Sequence, residues 1–320
     1  MSLPTLDPPL PVPDSPAQPR PAGASLTLAA AGLLVAINLL WSGSSVASKD
    51  GLADFGPITL ALCRFLPAGC ILYALEARKG HPPRFARRDW PALFLLGSLG
   101  IALTYFIFYA GVQRTTASDS SLMFACEPLL IALFAVLFLR ERLHPMQWLG
   151  MFAGIYGIWL IAGQASGNAL AVLALAVESS VSVIGKRLAE RYRGLTLCAG
   201  ELLVGAACLA PFAVWECIAH PPHITAAGVA SALYLCLVCT AICYGVWYRL
   251  LERFPISAMG AFILIQPMLG PVWGFALRHE PLRRASAAGG ALVIFGLILT
   301  SLVRFGSRQR SEPAVLGSER

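Results

Sequence analysis

Charged residues are scarce in this chain of 320 residues. Asp, Glu, Lys and Arg make up 13% of it and hydrophobic residues 57%, whereas soluble domains carry about 25% charged residues. The mean hydropathy is +0.69, and apolar runs of about 20 residues, the length that crosses a bilayer, recur along the chain. This composition excludes an ordinary soluble domain and predicts an all-α, multi-pass membrane protein.

Motifs of catalysis and of metal binding are missing as well. The sequence holds no Gly-rich phosphate loop, Ser/His/Asp set or paired carboxylates. Eight of the nine cysteines lie within apolar runs. The spacing of Cys236, Cys239 and Cys243 resembles that of metal ligands, but on a helix in lipid such cysteines are usually small packing residues. We therefore expect a protein that is not an enzyme and that has no metal, cofactor or disulfide.

The apolar runs predict ten membrane-spanning helices. Their approximate bounds are 26–48, 57–76, 91–112, 117–139, 145–163, 168–185, 195–217, 226–249, 256–278 and 286–303. Residues 1–24 contain eight prolines and almost no charge, so we expect a disordered tail there. This tail lacks the basic start and the cleavage site of a signal peptide, so the first helix should be retained. A basic, solvated tail is predicted at 305–320.

The net charge of +7 could indicate a nucleic-acid partner, but its distribution indicates a membrane topology instead. With ten spans and a cytoplasmic N-terminus, 18 basic residues lie on the inner side and five on the outer side. Such an excess of Lys and Arg on the cytoplasmic side is typical of multi-pass membrane proteins. We therefore expect both termini in the cytoplasm and no nucleic-acid partner.

Residues 91–163 and 230–302 are two copies of one segment. A shift of 139 positions, without a gap, places Tyr105 on Tyr244, Pro128 on Pro267 and Gly150 on Gly289. Weaker similarity extends upstream, which predicts two five-helix repeats at 26–163 and 168–303. Because each repeat has an odd number of spans, the second must be inverted relative to the first. Many secondary transporters are built from such inverted repeats, and their substrate pathway lies where the two repeats meet.

The polar residues within the apolar runs are the candidate functional residues, because each is costly in a bilayer. Glu127 is the eleventh residue of a 23-residue run, and Gln266 is its counterpart in the second copy. Each is followed by a proline, Pro128 or Pro267, which removes a backbone donor and predicts a hinge. Two interpretations of Glu127 stay open: a substrate- or proton-binding group, or a carboxyl that serves packing alone.

Arg64 and Glu201 occupy equivalent positions in the second and seventh runs, with opposite charges. Arg64 is interpreted either as a pathway residue, such as a gate, or as a structural or snorkelling side chain. The roles of Glu178 and Glu201 stay open. Tyr105 and Tyr244 begin an aromatic face on each copy, typical either of an aromatic belt at the membrane surface or of the wall of a substrate cavity.

The chain resembles the EamA family of the drug/metabolite transporter superfamily. The resemblance covers about 26–303. The residues that carry it are Trp41, Lys49, Tyr105, Ser118, Glu127, Pro128, Glu141, Leu143 and Gly150, with Tyr244, Ser257, Gln266, Pro267, Glu280, Leu282 and Gly289 in the second copy. Family members often have a glycine where Arg140 and His279 stand, and a second glutamate where Gln266 stands.

The resemblance implies a ten-helix secondary transporter of the bacterial inner membrane, often an exporter of small metabolites, amino acids or drugs. Alternating access would occur around a midplane cavity lined by the third, fourth, eighth and ninth helices. The expected partners are a small-molecule substrate, protons as a candidate coupling ion and the lipid bilayer. The substrate, the direction of transport and the oligomeric state, a homodimer included, stay open. The competing interpretation is a membrane-embedded enzyme or a receptor without transport.

Overall fold

The protein is an assembly of helices. A computed structural model describes residues 26–139, 145–189, 191–254, 259 and 262–310, and no strand occurs among them. In chain order the helices are α1 (Leu28–Asp54), α2 (Pro57–Arg78), α3 (Arg87–Val112), α4 (117–139), α5 (Pro145–Ala162), α6 (Ser166–Ala189), α7 (Gly194–Ala219), α8 (Ala226–Arg253), α9 (Ile265–Arg278) and α10 (Arg284–Arg310). The predicted tail at 1–24 and Glu141 lie outside the described residues.

The lengths and compositions of these helices confirm a multi-pass membrane protein. Within the described residues, α1, α2, α3, α5, α7 and α8 are long and apolar enough to cross a membrane. Shorter apolar stretches lie in α6, at Ser166–Val181, and in α10, at Arg284–Leu299. Helix α10 continues to Arg310, past the predicted end of the last span, since its sequence contains no proline to stop it. The count of ten spans stays a prediction.

Helices α2 and α7, which are equivalent in the two copies, run antiparallel. At the start of α2, the backbone N–H of Thr59 donates to the Glu216 carboxylate near the end of α7, at 2.8 Å. At the other end of α2, Glu76 lies 3.7 Å from the Arg193 guanidinium, just before α7 begins. At each end of this helix pair, the start of one helix therefore lies beside the end of the other.

Helices α5 and α10 cross so closely that glycine is required at their contact. A Cβ added to Gly157 would lie 2.5 Å from the carbonyl oxygen of Gly289, and one added to Gly296 would meet the carbonyl of Gly150. Under the 139-residue shift, Gly150 corresponds to Gly289 and Gly157 to Gly296. The contact is therefore reciprocal, as in a two-fold symmetric interface, in which residue i meets j and j meets i.

Helices α3 and α8 each contain a widened, π-helical stretch. These stretches, Leu96–Leu103 and Tyr234–Ile242, coincide to within one residue under the same 139-residue shift. Such turns are rare and occur frequently at functional sites. In α8 the carbonyl of Cys239 is turned outward and accepts the indole N–H of Trp41, in α1, at 2.6 Å. The widened stretch thus ties α1 to the centre of α8.

Helix α4 is interrupted, and helix α9 begins after a turn, just before their equivalent prolines. In α4 a 3-10 turn at Phe124–Cys126 precedes Glu127, and in α9 a turn at Leu264 precedes Ile265. Pro128 and Pro267 each lack the N–H that would bond to the fourth residue back, and their rings crowd that carbonyl. The predicted proline breaks are therefore present in the backbone, while their role as hinges stays a prediction.

Candidate functional site

Arg64 lies in the interior of the helix assembly, in the first half of α2. It is 5% exposed, and its guanidinium donates from Nε to the Thr240 hydroxyl at 2.9 Å and from Nη1 to the Tyr109 hydroxyl at 3.2 Å. The guanidinium carbon lies 5.0 Å from the ring centre of Phe65 and 4.9 Å from that of Tyr105. Arg64 therefore does not snorkel to a membrane surface. Hydroxyls and aromatic rings surround its charge.

No carboxylate forms an ion pair with Arg64 in the part of the chain that the structure describes. A guanidinium has five N–H donors, and hydroxyls occupy two of those on Arg64. Nη2 has no hydrogen bond with the described residues and is not one of their fully buried, unpartnered atoms. It is therefore not completely enclosed by protein atoms. A buried cation in this position can take an anionic group of a ligand.

Glu201 occupies the corresponding position of α7 and has the corresponding partner. Its carboxylate accepts from the Tyr248 hydroxyl at 3.0 Å, and Tyr248 coincides with Tyr109 under the 139-residue shift. Each copy therefore holds the charged residue of its second helix against an equivalent tyrosine of its third helix. Arg64 and Glu201 are not an ion pair with each other.

Tyr105 and Tyr244, which are equivalent in the two copies, meet at the centre. Their hydroxyl oxygens are 3.3 Å apart. Tyr105 is 5% exposed, whereas Tyr244 is half-buried and packs edge-on against Trp41, with ring centres 5.6 Å apart. A tyrosine belt at a membrane surface would instead point outward toward lipid headgroups. The two tyrosines form an internal wall between the copies.

Glu127 and Glu178 add acidic groups to the same region. The charged side chains that act on the Glu178 carboxyl are Glu127, Glu201 and Arg64, contributed by α4, α7 and α2. Glu127, Glu178 and Glu201 are each half-buried. We call these three residues the acidic side of the site. The roles of Glu178 and Glu201, which the sequence left open, stay open.

Gln266 has other partners. Its side-chain amide donates to the Asn38 side-chain oxygen, in α1, at 2.8 Å, and its backbone carbonyl accepts from the Ser121 hydroxyl at 3.2 Å. It therefore links α9 to α1 and to the first turns of α4. Pro267, next to it, is buried. The structure thus joins Arg64, Tyr105 and Tyr244 in one cluster and gives Gln266 its contacts beside it.

Three contacts of this site were not predicted. The sequence offers a signal for Tyr109 and Tyr248, because they coincide in the two copies in the same way as Tyr105 and Tyr244. It offers none for Thr240, which lies in the widened stretch of α8. The Thr240 hydroxyl also donates to the Leu235 carbonyl, five residues back, at 2.8 Å.

One end of the assembly is closed by polar contacts between the two copies. The Arg278 guanidinium pairs with Asp50 of α1 and donates from Nε to Glu280 at 3.0 Å. Glu280 also accepts from the backbone N–H of Ala117, at the start of α4, at 2.7 Å. Lys49 donates to the carbonyls at the end of α3, 2.8 Å to that of Val112. We call this the Arg278 end.

The opposite end contains a cavity of about 330 Å³. Its lining residues are Leu33, Lys79, Arg193, Leu195, Val246, Arg249, Leu250, Glu252 and Arg253. Most of its lining residues belong to α8 and to the start of α7, the two helices that also carry Tyr248 and Glu201. The cavity therefore opens at the end of the assembly nearest Glu201, with more basic than acidic side chains around its mouth.

The sequence profile of the EamA-like transporter family matches the chain twice, at residues 28–163 and 165–302. An uncharacterized transporter of Archaeoglobus fulgidus is 26% identical over 279 residues, 84% of this chain and 96% of that protein. A probable terminal-alkyne amino-acid exporter of Streptantibioticus cattleyicolor is 29% identical over 286 residues, 87% of this chain and 95% of that protein.

A WAT1-related chloroplastic protein of Arabidopsis thaliana is 22% identical over 288 residues, 84% of this chain and 68% of that protein. A solved crystal structure is similar with a TM-score of 0.62 and 21% identity, covering 89% of this chain and 99% of that one, a likeness that shows the fold alone. The two matches of the family profile together span nearly all of the helices. The chain therefore belongs to the EamA-like transporter family and is a multi-pass membrane transport protein.

Proposed function

We propose that the protein is a secondary active transporter that exports small metabolites, amino acids or drugs by alternating access. The observation that carries the proposal is the central cluster, in which the two copies meet through Tyr105 and Tyr244. Arg64 and Glu201 flank this contact with opposite charges, each held by an equivalent tyrosine. Charged groups inside a membrane protein usually mark a substrate or ion pathway.

The proposal includes ten spans arranged as two inverted five-helix repeats. The antiparallel course of α2 and α7 and the reciprocal glycine contact of α5 and α10 support it, because both follow from a two-fold axis in the membrane plane. In this arrangement α4, α6, α9 and α10 also cross the bilayer. The substrate site would then lie at the interface of the repeats, near the bilayer midplane.

Alternating access requires contacts that open on one side while they close on the other. The Arg278 end is closed by Arg278, Asp50 and Glu280, which belong to both copies. The opposite end carries the 330 Å³ cavity. We assign the closed end to the outer side and the open end to the cytoplasm, because the predicted topology places the basic loops at the open end. Both termini are then cytoplasmic.

Export is supported by the name of the Streptantibioticus cattleyicolor relative, an amino-acid exporter. The bacterial relatives support the inner membrane as the location. Protons are the candidate coupling ion, with Glu127 as the group that binds them or a cationic part of the substrate. A single chain can perform this mechanism. A homodimer of such chains is compatible with it as well.

Flux through the purified protein in proteoliposomes tests the proposal. A panel of amino acids, amines, sugars and nucleosides would be offered with and without a pH gradient, beside protein-free vesicles. Time-dependent movement of at least one solute through the protein alone is expected, and a pH gradient should change its rate. Binding without movement would indicate a receptor, and a chemically altered solute would indicate an enzyme. Either result would contradict the proposal.

A further inference from the structure

We infer that the cavity opposite to the Arg278 end binds an anionic phospholipid through the phosphate of its headgroup. The cavity measures about 330 Å³, within the range of about 300–1,000 Å³ that small-molecule sites occupy. Helix α8 supplies most of its lining, and α1, the end of α2 and the start of α7 supply the rest. This inference goes beyond the proposed transport function, because it assigns a second ligand to a second place in the molecule.

The charged lining of this cavity is mostly cationic. Its charged residues are Lys79, Arg193, Arg249, Glu252 and Arg253. The Glu252 carboxylate accepts the backbone N–H of Gly194, at the start of α7, at 3.2 Å. Like charges held close together repel one another, and an anion placed between them reduces that repulsion. The lining is therefore complementary to an anion such as a phosphate.

Two of the four cations already have a carboxylate partner, and the other two do not. Glu76, buried near the end of α2, lies 3.2 Å from the Lys79 ammonium and 3.7 Å from the Arg193 guanidinium. Among the described residues, neither Arg249 nor Arg253 forms an ion pair. Arginine binds phosphate oxygens with parallel N–H···O bonds. Arg249 and Arg253 are therefore the residues that would hold the headgroup phosphate.

The face of α8 that lines the cavity changes from apolar to basic toward the end of the helix. Arg249, Leu250 and Arg253 follow Val246 by three, four and seven residues, so all four share one side of α8. At 1.5 Å per residue, Val246 lies about 10 Å from Arg253 along the helix axis, and Arg249 about 6 Å from it. The headgroup layer on each side of a bilayer is about 5–8 Å thick. The two arginines therefore span a distance that matches a headgroup layer, with the apolar residues below them.

The apolar part of the lining continues onto a helix surface that lipid covers. Leu33 lines the cavity and is 48% exposed on α1, where Leu28, Val35 and Leu39 are exposed as well. It lies five residues after the start of α1, about 8 Å along the axis, at the depth where the acyl chains begin. Basic pockets between helices on the cytoplasmic side bind anionic lipid headgroups, and the proposed orientation places this end there. A phospholipid uses both parts of the cavity, whereas a free phosphate would use only the basic part.

Native mass spectrometry of the purified protein in detergent tests this inference, because it counts the lipids bound to each chain. The probes are dioleoyl phosphatidylglycerol, which has a net negative charge, dioleoyl phosphatidylcholine, which has none, and glycerol 3-phosphate, which has no acyl chain. Each basic side chain near a membrane surface favours an anionic lipid about fivefold. We therefore expect one phosphatidylglycerol to bind about twenty-five-fold more tightly than phosphatidylcholine, and glycerol 3-phosphate to bind far more weakly than phosphatidylglycerol.

Paired substitutions show whether the lipid binds in this cavity. Arg249→Gln with Arg253→Gln should weaken the binding of phosphatidylglycerol about twenty-five-fold and leave that of phosphatidylcholine unchanged. Arg249→Lys with Arg253→Lys keeps both charges and should keep most of the preference. Arg84→Gln with Arg87→Gln is the matched control, since these arginines are exposed at the same end of the assembly but do not line the cavity.

Several results would overturn the inference. Equal affinity for the two lipids, or equal losses in the cavity and control Gln variants, would show that the cavity holds no headgroup. Glycerol 3-phosphate binding as tightly as phosphatidylglycerol would make the ligand a soluble phosphate and not a lipid. If the Gln variant of the cavity fails to fold in gel filtration, the Lys variant and the lipid preference of the unmodified protein still decide. Each measurement reads binding, so a failure here leaves the proposed transport function untouched.

Discussion

At the scale of single residues, equivalent positions of the two copies have diverged in charge while keeping their geometry. Arg64 hydrogen-bonds to Tyr109 of α3, and Glu201 hydrogen-bonds to Tyr248, the equivalent tyrosine of α8. Glu127 has likewise become the neutral Gln266 in the second copy. The scaffold is therefore close to symmetric and the charge is not. A site with a positive and a negative side follows from that difference.

Glu127→Gln should abolish the response of transport to a pH gradient and leave the fold intact. The amide keeps the size of the side chain but cannot bind and release a proton, so we expect at least a tenfold loss of gradient-driven flux. Flux is measured in proteoliposomes at several pH values, and folding by gel filtration. Glu141→Gln, at a position predicted to lie near the membrane surface, is the matched control. An unaltered rate and pH profile would leave Glu127 as a packing residue only.

His279→Gly should stabilise the protein. His279 ends α9 in the left-handed conformation, with φ 54° and ψ 29°, and that conformation costs a non-glycine residue about 1–2 kcal/mol. Glycine removes this cost and should raise the midpoint of thermal unfolding in detergent. His220→Gly is the control, because His220 ends α7 with φ −136° and gains nothing. Equal shifts in the two variants would contradict the argument.

At the scale of helices, a proline does not by itself produce a break. Pro67 and Pro211 lie inside α2 and α7, which continue without interruption. Pro128 and Pro267 follow interruptions in α4 and α9, the helices that pack together beside the central site. Leu66 and Ala210 precede Pro67 and Pro211, whereas Glu127 and Gln266 precede Pro128 and Pro267. A proline alone is therefore not sufficient to interrupt these helices.

Replacing Pro128 and Pro267 together with Ala should slow turnover without preventing membrane insertion. The two alanines supply the missing backbone donors, so the helices can straighten and the interrupted turns become stiffer. We expect a several-fold lower transport rate with little change in apparent affinity. Pro67→Ala with Pro211→Ala is the matched control, in continuous helices. If both double variants transport at the original rate, the hinge assignment fails.

Much of this architecture could be predicted from the sequence, but the contacts of Arg64 could not. Helical character follows from composition and apolar length, and the meeting of Tyr105 with Tyr244 is consistent with the duplication. The partner of the Arg64 Nε atom is different. Thr240 reaches it from the widened stretch of α8, where an extra residue rotates the helix. The helical pattern of a sequence assumes a constant rotation per residue. It therefore cannot show that Thr240 faces Arg64.

At the scale of the whole molecule, the proposed topology can be measured directly. In a cysteine-free background, Ser166→Cys and His223→Cys should react with an impermeant thiol reagent in intact cells. Ser166 is the first residue of α6 and His223 lies between α7 and α8; both are exposed and are assigned to the outer side. Arg84→Cys, exposed in the turn between α2 and α3, should react only after permeabilisation. The reverse pattern would place both termini outside and invert the assignment of the two ends.

The contact between α4 and α9 offers a way to hold the transporter in one state. A Cβ added to Gly274 would lie 3.4 Å from the Cβ of Ser118, close to the 3.5–4.5 Å between the Cβ atoms of a disulfide. This contact adjoins the Arg278 end, where Glu280 accepts from the start of α4. If that end must open during each cycle, a covalent link there should stop transport.

In a cysteine-free background, Ser118→Cys with Gly274→Cys should therefore lose transport when oxidised and recover it when reduced. Each single variant, oxidised in the same way, is the control, because it cannot form the link. Transport is measured as flux in proteoliposomes. Cross-linking is measured by cutting the chain between the two cysteines and testing on a gel whether the fragments stay joined. Full transport by a fully cross-linked protein would mean that α4 and α9 stay together throughout the cycle. The Arg278 end would then be a fixed structural contact, and the moving parts would have to lie elsewhere in the molecule.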